Sequence, residues 1–162
     1  MLIPNLEELA RISADLRSKG KIIVTTNGVF DIVHRGHIHL FEESKKYGDY
    51  LFIGVNSDAS VKRYKGEKRP IINEIDRAYL VNAIKFVDYV TIFDEDEPLE
   101  FLRVVRPNIH VLGNNFSTSD KRIPEIVLVE DELGGSMRYT TYTPHSSTNV
   151  IDKILRAYGK DG

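Results

Sequence analysis

A chain of 162 residues fits one domain and buries roughly two thirds of the surface its unfolded form exposes, and 41% apolar with 28% charged residues is ordinary globular composition. A formal charge of −2 argues against nucleic acid as the main ligand, and the absence of cysteine excludes disulfides, zinc–thiolate sites and thiol nucleophiles. No apolar run approaches the roughly 20 residues that span a bilayer, and the N-terminus is amphipathic rather than signal-like, so no membrane partner is expected and the cytoplasm is the expected compartment.

Leu6, Leu9, Ile12 and Leu16 recur at helical spacing after Asn5, which can form a capping box with Glu8, and Gly20 suits the exit. Residues 21–26 (KIIVTT) form a β-branched run followed by Asn27-Gly28, and 50–55 (YLFIGV) form a second. The stretch between them has room for one helix ending at Gly48, which makes the pair parallel and closes a βαβ unit. A helix over 74–85, a strand over 88–93, a helix over 98–105 and a strand over 109–113 follow. A helix near 124–133, a strand near 136–142 and a helix near 147–158 complete the chain. Strand runs without clean alternation suit strands covered on both faces. The expected fold is therefore α/β: a Rossmann-like, open, mainly parallel sheet of five strands with helices on both faces. One domain over 1–162 is expected, with residues 1–20 a helix packing on it, since there is no repeat, low-complexity tract or long linker.

Ligands of such sheets sit beyond the carboxyl ends of the strands, and "TNGVFDIVHRGHIHLFEES" (26–44) lies at such an end. A helix beginning near Gly36 or His37 directs free backbone N–H groups and the positive end of its dipole at its first turn, where anions are stabilised. Gly28 and Gly36 would let the backbone approach a bulky phosphate, while His34 and His37 can both offer ring N–H donors to the same oxygens. This is a phosphate cradle in outline. The duller readings are capping or core histidines, or a metal site with His39, which lacks an acidic partner at useful spacing and falls on another helix face, placing His39 on the surface. Asp31 is divided between backbone capping and chemistry, and the acidic run 94–97 ahead of Pro98 reads as helix-start chemistry. His110 in a strand and His145 after Pro144 have no partner that the sequence names.

The same residues carry a resemblance. "GVFDIVHRGH" matches the G-x-F-D-x-x-H-x-G-H pattern of the cytidylyltransferase-like, or HxGH, nucleotidyltransferase superfamily, in which the two histidines contact the triphosphate. Within it, "GVNSDASVKRYKGEKRPI", "DRAYLVNAIKFVDYVTIFDEDEPLEFLRVVRP" and "SSTNVIDKI" resemble the adenylyltransferase domain of bacterial ADP-heptose synthases, over roughly residues 5–158. The resemblance implies ATP and D-glycero-β-D-manno-heptose 1-phosphate as substrates, ADP-heptose and pyrophosphate as products, and a role in lipopolysaccharide core synthesis. It implies His34, His37 and Lys65 as catalytic groups. Nucleotide contacts would fall on Asn27, Gly28, Phe30, Gly36, Gly113, Asn115, Ser146, Ser147 and Thr148, and acceptor contacts on Asp31, Asn56 and Arg69. Mg²⁺ held mainly by the triphosphate, a homodimer, and a sugar kinase on a separate chain are further implications. Lys65, Arg69, Ser147 and Thr148 also admit plain readings as solvated charges and helix caps. The chain departs from the family pattern at "LGNNF" (112–116), where Leu112 and Asn115 stand for a usual lysine and carboxylate, and at Pro144-His145 ahead of the last signature. A cytidylyltransferase of the glycerol 3-phosphate type and a non-catalytic nucleotide-binding module are the rival readings.

Overall fold

The computed structural model describes residues 1–113, 123–141 and 144–159. Five parallel strands form one sheet: β1 (Ile23–Gly28), β2 (Tyr50–Asn56), β3 (Tyr89–Phe93), β4 (Ile109–Leu112) and β5 (Ser136–Tyr139). Their order is β3-β2-β1-β4-β5, so the chain builds outward from β1 in one direction and then crosses to its other side. The switch point falls between the carboxyl ends of β1 and β4, where a ligand crevice opens.

Helices cover both faces, as the uninterrupted burial of β1 and β2 requires. On one side, α1 (Leu6–Ser18) packs on α5 (Leu99–Val105), its buried Leu9 and Leu16 joining Phe52, Phe101 and Leu102. The Ser13 hydroxyl donates to the Val104 carbonyl at 3.3 Å. On the other side lie α2 (Arg35–Lys45) and α4 (Glu74–Asn82), with Phe41, Ala78 and Val81 against Val24, Leu51 and Ile53. Asn5 caps α1, Ser57 caps α3 (Asp58–Lys65) and Asn73 caps α4, each side chain accepting the backbone N–H three residues on. Gly20, at φ +68°, provides the left-handed exit from α1.

The sequence reading needs adjusting in four places. Helix α3 is an additional element. Helix α4 stops at Asn82, where residues 83–87 form tight turns. The predicted helix over 124–133 is one α-turn, α6 (Pro124–Ile126), widening into a π-helix over Val127–Glu132. The sheet is wholly rather than mainly parallel. The last helix, α7 (Ser147–Tyr158), buries no residue and leaves Ile154, Leu155 and Tyr158 exposed.

Candidate active site

Beyond Gly28 the chain turns sharply, with Phe30 and Ile32 both at φ 52°, a left-handed conformation that costs a non-glycine residue of order 1–3 kcal/mol and gathers at functional sites. The strain delivers His34 to the N-cap of α2. There its Nδ1 accepts the Gly36 N–H at 3.1 Å, while Nδ1 of His37 accepts the His34 N–H at 3.4 Å. An N–H donor needs a lone pair, so both Nδ1 atoms are unprotonated and each neutral ring carries its proton on Nε2. The rings stack at 3.8 Å with 19° between planes, and Phe30 braces His37 edge-on at 5.3 Å. Nε2 of His34 is buried and has no acceptor among the described residues, a donor left for a ligand.

Burial lowers the basicity of both rings. For His34 the nearby His145 adds to the effect; for His37 the His34 ring and Lys65 do, and its pKa falls to about 3. Free of ligand, the pair is neutral near pH 7.

Two adjoining spaces open here. One, of about 230 Å³, lies between the start of α2 and the start of α7 and is lined by His34, His37, Lys65, Ser147 and Thr148. The other, of about 500 Å³, spreads over the ends of β1 and β2, with Asn27, Asn56, Tyr64, Glu97 and Glu125 in its walls. His37, Leu40, Lys65, Arg69, Gly113 and Ser147 line both. The smaller space offers mostly hydrogen-bond donors, which suits phosphate; the larger is mixed.

A model of cytidylyltransferase-like proteins matches residues 25–153, from the middle of β1 into α7. The chain belongs to the cytidylyltransferase-like family. It is 45% identical over 98% of its length to the bifunctional protein HldE of Geobacter metallireducens and 40% identical over 98% to that of Geobacter sulfurreducens. It spans 32% of each of these relatives. A lipopolysaccharide core biosynthesis protein of Thermoplasma volcanium, solved by crystallography, superposes with a TM-score of 0.63 at 33% identity, covering 78% of this chain and 100% of that one. Pantoate–β-alanine ligase from Francisella tularensis shares the fold, with a TM-score of 0.59 over 96% of this chain and 78% of its own, at 15% identity.

Within this cytidylyltransferase-like domain the residues singled out by sequence separate into groups. His34, Gly36, His37, Lys65, Arg69, Gly113, Ser146, Ser147 and Thr148 meet around the smaller space. Asn27, Gly28, Phe30, Asp31 and Asn56 line the larger one. Asn115 lies outside the described residues, and Leu112 turns into the core at 2% exposure.

Several expected roles change. Asp31 is 1% exposed and its carboxylate is spent on the 69–72 segment, accepting from Arg69 Nε at 2.9 Å, Ile71 N–H at 2.9 Å and Ile72 N–H at 3.0 Å. It therefore holds Arg69 in place rather than touching an acceptor. Asn56 is likewise buried, with Nδ2 donating to the Ser60 hydroxyl at 3.1 Å. Gly28 packs closely on the turn itself, since a Cβ there would meet the Phe30 ring at 3.1 Å. At Gly113 a Cβ would meet nothing within 4 Å. The cap of α7 is Ser146, which accepts the Asn149 N–H at 3.1 Å; the Ser147 hydroxyl donates to the Asp31 carbonyl, and the Thr148 hydroxyl has no hydrogen bond among the described residues. His39 is not simply on the surface: its Nε2 meets the Thr141 hydroxyl at 2.8 Å and the ring lines the smaller space.

Sequence reasoning also missed partners that only the fold supplies. His110 is fully buried with Nδ1 2.8 Å from the Thr25 hydroxyl, and burial lowers its pKa to about 3. His145 stands 6.4 Å from the His34 ring. Arg77, 0% exposed, donates to the carbonyls of Val29, Asn56 and Ile72 and to the Asp58 carboxylate, pinning the ends of β1 and β2 beneath the site. Its signal was an arginine on the apolar face of α4. Asp94 and Asp96 do more than begin a helix, since Asp94 accepts from Ser57 and Asp96 pairs with Arg63 at 2.6 Å.

Proposed function

We propose that the chain transfers AMP from ATP to a sugar 1-phosphate, D-glycero-β-D-manno-heptose 1-phosphate, giving ADP-heptose and pyrophosphate for lipopolysaccharide core synthesis in the cytoplasm. The observation that carries nucleotidyl transfer is the stacked His34–His37 pair, both Nδ1 atoms committed and the Nε2–H of His34 unpaired, at the N-terminus of α2 facing the start of α7. Two helix N-termini and two fixed donors converge on one small space, an arrangement that stabilises oxyanions. The choice of acceptor is supported by likeness to proteins named HldE and to a lipopolysaccharide core biosynthesis protein.

An acceptor phosphate, with a second pKa near 6 as in phosphorylated side chains, is largely ionised at neutral pH and needs no general base. One of its oxygens attacks the α-phosphorus of ATP in line, the bond from that phosphorus to the bridging oxygen breaks, and pyrophosphate departs with the electron pair. His34 and His37 donate to the transferring and leaving phosphates. Lys65, at the end of α3, and Arg69, anchored on Asp31, add positive charge where the acceptor's phosphate meets the nucleotide's. Thr148 and the first N–H groups of α7 serve the terminal phosphates.

Mg²⁺ is expected on the triphosphate itself. The groups facing the smaller space are mostly donors, and no set of three carboxylates or imidazoles among the described residues is placed to hold an ion, so the phosphate oxygens would be its ligands. A homodimer fits the exposed apolar stripe of α7, and a sugar kinase would supply the acceptor.

The second reading, CTP with glycerol 3-phosphate, is favoured by the cytidylyltransferase-like match alone. Pyrophosphate release with Mg²⁺, ATP or CTP, and a panel of sugar and polyol phosphates separates the two. ATP with heptose 1-phosphate is expected to be the active pair; activity confined to CTP with glycerol 3-phosphate would overturn the proposal, and nucleotide binding without turnover would leave a binding module.

A further inference from the structure

The larger space holds a carboxylate that the reaction does not use. Glu125, in α6, is only 8% exposed, yet it lines this space. Among the described residues it has no ion pair and no hydrogen bond to another side chain. Glu97 stands near enough for its charge to reach Glu125 and lines the same space. Arg63, on the neighbouring helix α3, is engaged by Asp94 and Asp96. A buried carboxylate held by no more than its own backbone N–H keeps acceptor capacity, and such groups are retained where something else satisfies them. Burial raises the Glu125 carboxyl above its ordinary range, opposed by the hydrogen bond from its own backbone N–H and reinforced by Glu97.

The space is thus two-sided. Lys65 and Arg69 line it with positive charge beside the histidines, and Glu97 with Glu125 supply acceptor oxygens. A ligand that matches both carries a phosphate and, beyond it, several hydroxyl donors. We propose that Glu125, assisted by Glu97, reads the hydroxyl groups of a polyhydroxylated acceptor whose phosphate lies at Lys65 and Arg69, and so sets the acceptor specificity of this enzyme. The inference rests on the nucleotidyltransferase reading and adds to it the group that selects a sugar over a simpler phosphate. A divalent ion is a poorer occupant, because among the described residues no three ligating groups converge.

The test measures steady-state kinetics of pyrophosphate release for Glu125→Ala, Glu125→Gln and Glu97→Gln beside the unaltered chain, with circular dichroism confirming the fold. With heptose 1-phosphate, Glu125→Ala is expected to raise KM for the acceptor roughly 10-fold or more while KM for ATP stays within about 2-fold, and Glu125→Gln, which keeps one acceptor oxygen, falls between. A series of monodeoxy acceptors completes the test: at least one loses activity with the unaltered chain and loses no more with Glu125→Ala. Unchanged acceptor KM in all three variants overturns the proposal while leaving nucleotidyl transfer intact. An effect on KM for ATP alone would assign Glu125 to the base, and a gain for phosphoethanolamine over sugar phosphates in the unaltered chain would assign the carboxylates to an ammonium; either overturns it. An unaltered chain inactive with every sugar phosphate overturns both this inference and the reading beneath it.

Discussion

His34 and His37 lie face to face, ring centroids 3.8 Å apart, and each has given its Nδ1 to a backbone N–H at the start of α2. The consequence is chemical as well as structural. Capping fixes the tautomer, stacking fixes the rings, and what remains to each imidazole is a preorganised Nε2–H donor. Such preorganisation is what lets a donor act on developing charge without reorganising during the reaction.

Removing His34 should therefore separate chemistry from folding. His34→Ala is expected to lower kcat by roughly 10²-fold or more, the scale of one lost transition-state donor, and to cost about 1 kcal/mol of stability through the lost cap. Pyrophosphate release and urea denaturation measure the two. Near-normal turnover would count against the site.

Asp31 predicts a different pattern. Its buried carboxylate organises residues 69–72, so Asp31→Ala should destabilise the chain by about 2 kcal/mol and raise the acceptor KM by freeing Arg69. A variant of full stability with a pure kcat defect would instead give Asp31 a direct role in chemistry.

Acid stability follows from the buried imidazoles. His37 and His110 have pKa values of about 3 in the folded chain, against about 6.5 when unfolded. Between these values the unfolded state binds more protons, so stability is fully present above about pH 6.5 and declines as pH falls toward 3. Urea denaturation from pH 7.5 to 4.5 should show the decline, and His110→Gln, which keeps a partner for Thr25, should make it shallower. A slope unaltered by that substitution would mean that His110 is protonated in the folded chain.

Much of the fold was legible because β-branched runs alternated with helical spacing, and the cradle because its histidines flank a strand-to-helix turn. What escaped was non-local or short. Helix α3 buries one apolar side chain, Val61, so it has no periodicity; its signals were the Ser57 cap and the Lys62, Arg63 and Lys65 charges at its end. Asp31 could be placed between capping and chemistry but not resolved, because its partners lie 38 to 41 residues away. His39 was put on the surface because helical spacing cannot register Thr141, 102 residues on. Arg77 drew no reading from the sequence, because the three carbonyls that it meets belong to separate segments.

The most direct test is ¹⁵N NMR of the histidine rings during titration with a non-hydrolysable ATP analogue and Mg²⁺. Before addition, His34 and His37 should show neutral rings protonated at Nε2, and binding should move both Nε2 resonances as phosphate oxygens accept from them. Rings protonated at Nδ1, or Nε2 resonances unmoved while the analogue binds elsewhere on the chain, would contradict the account.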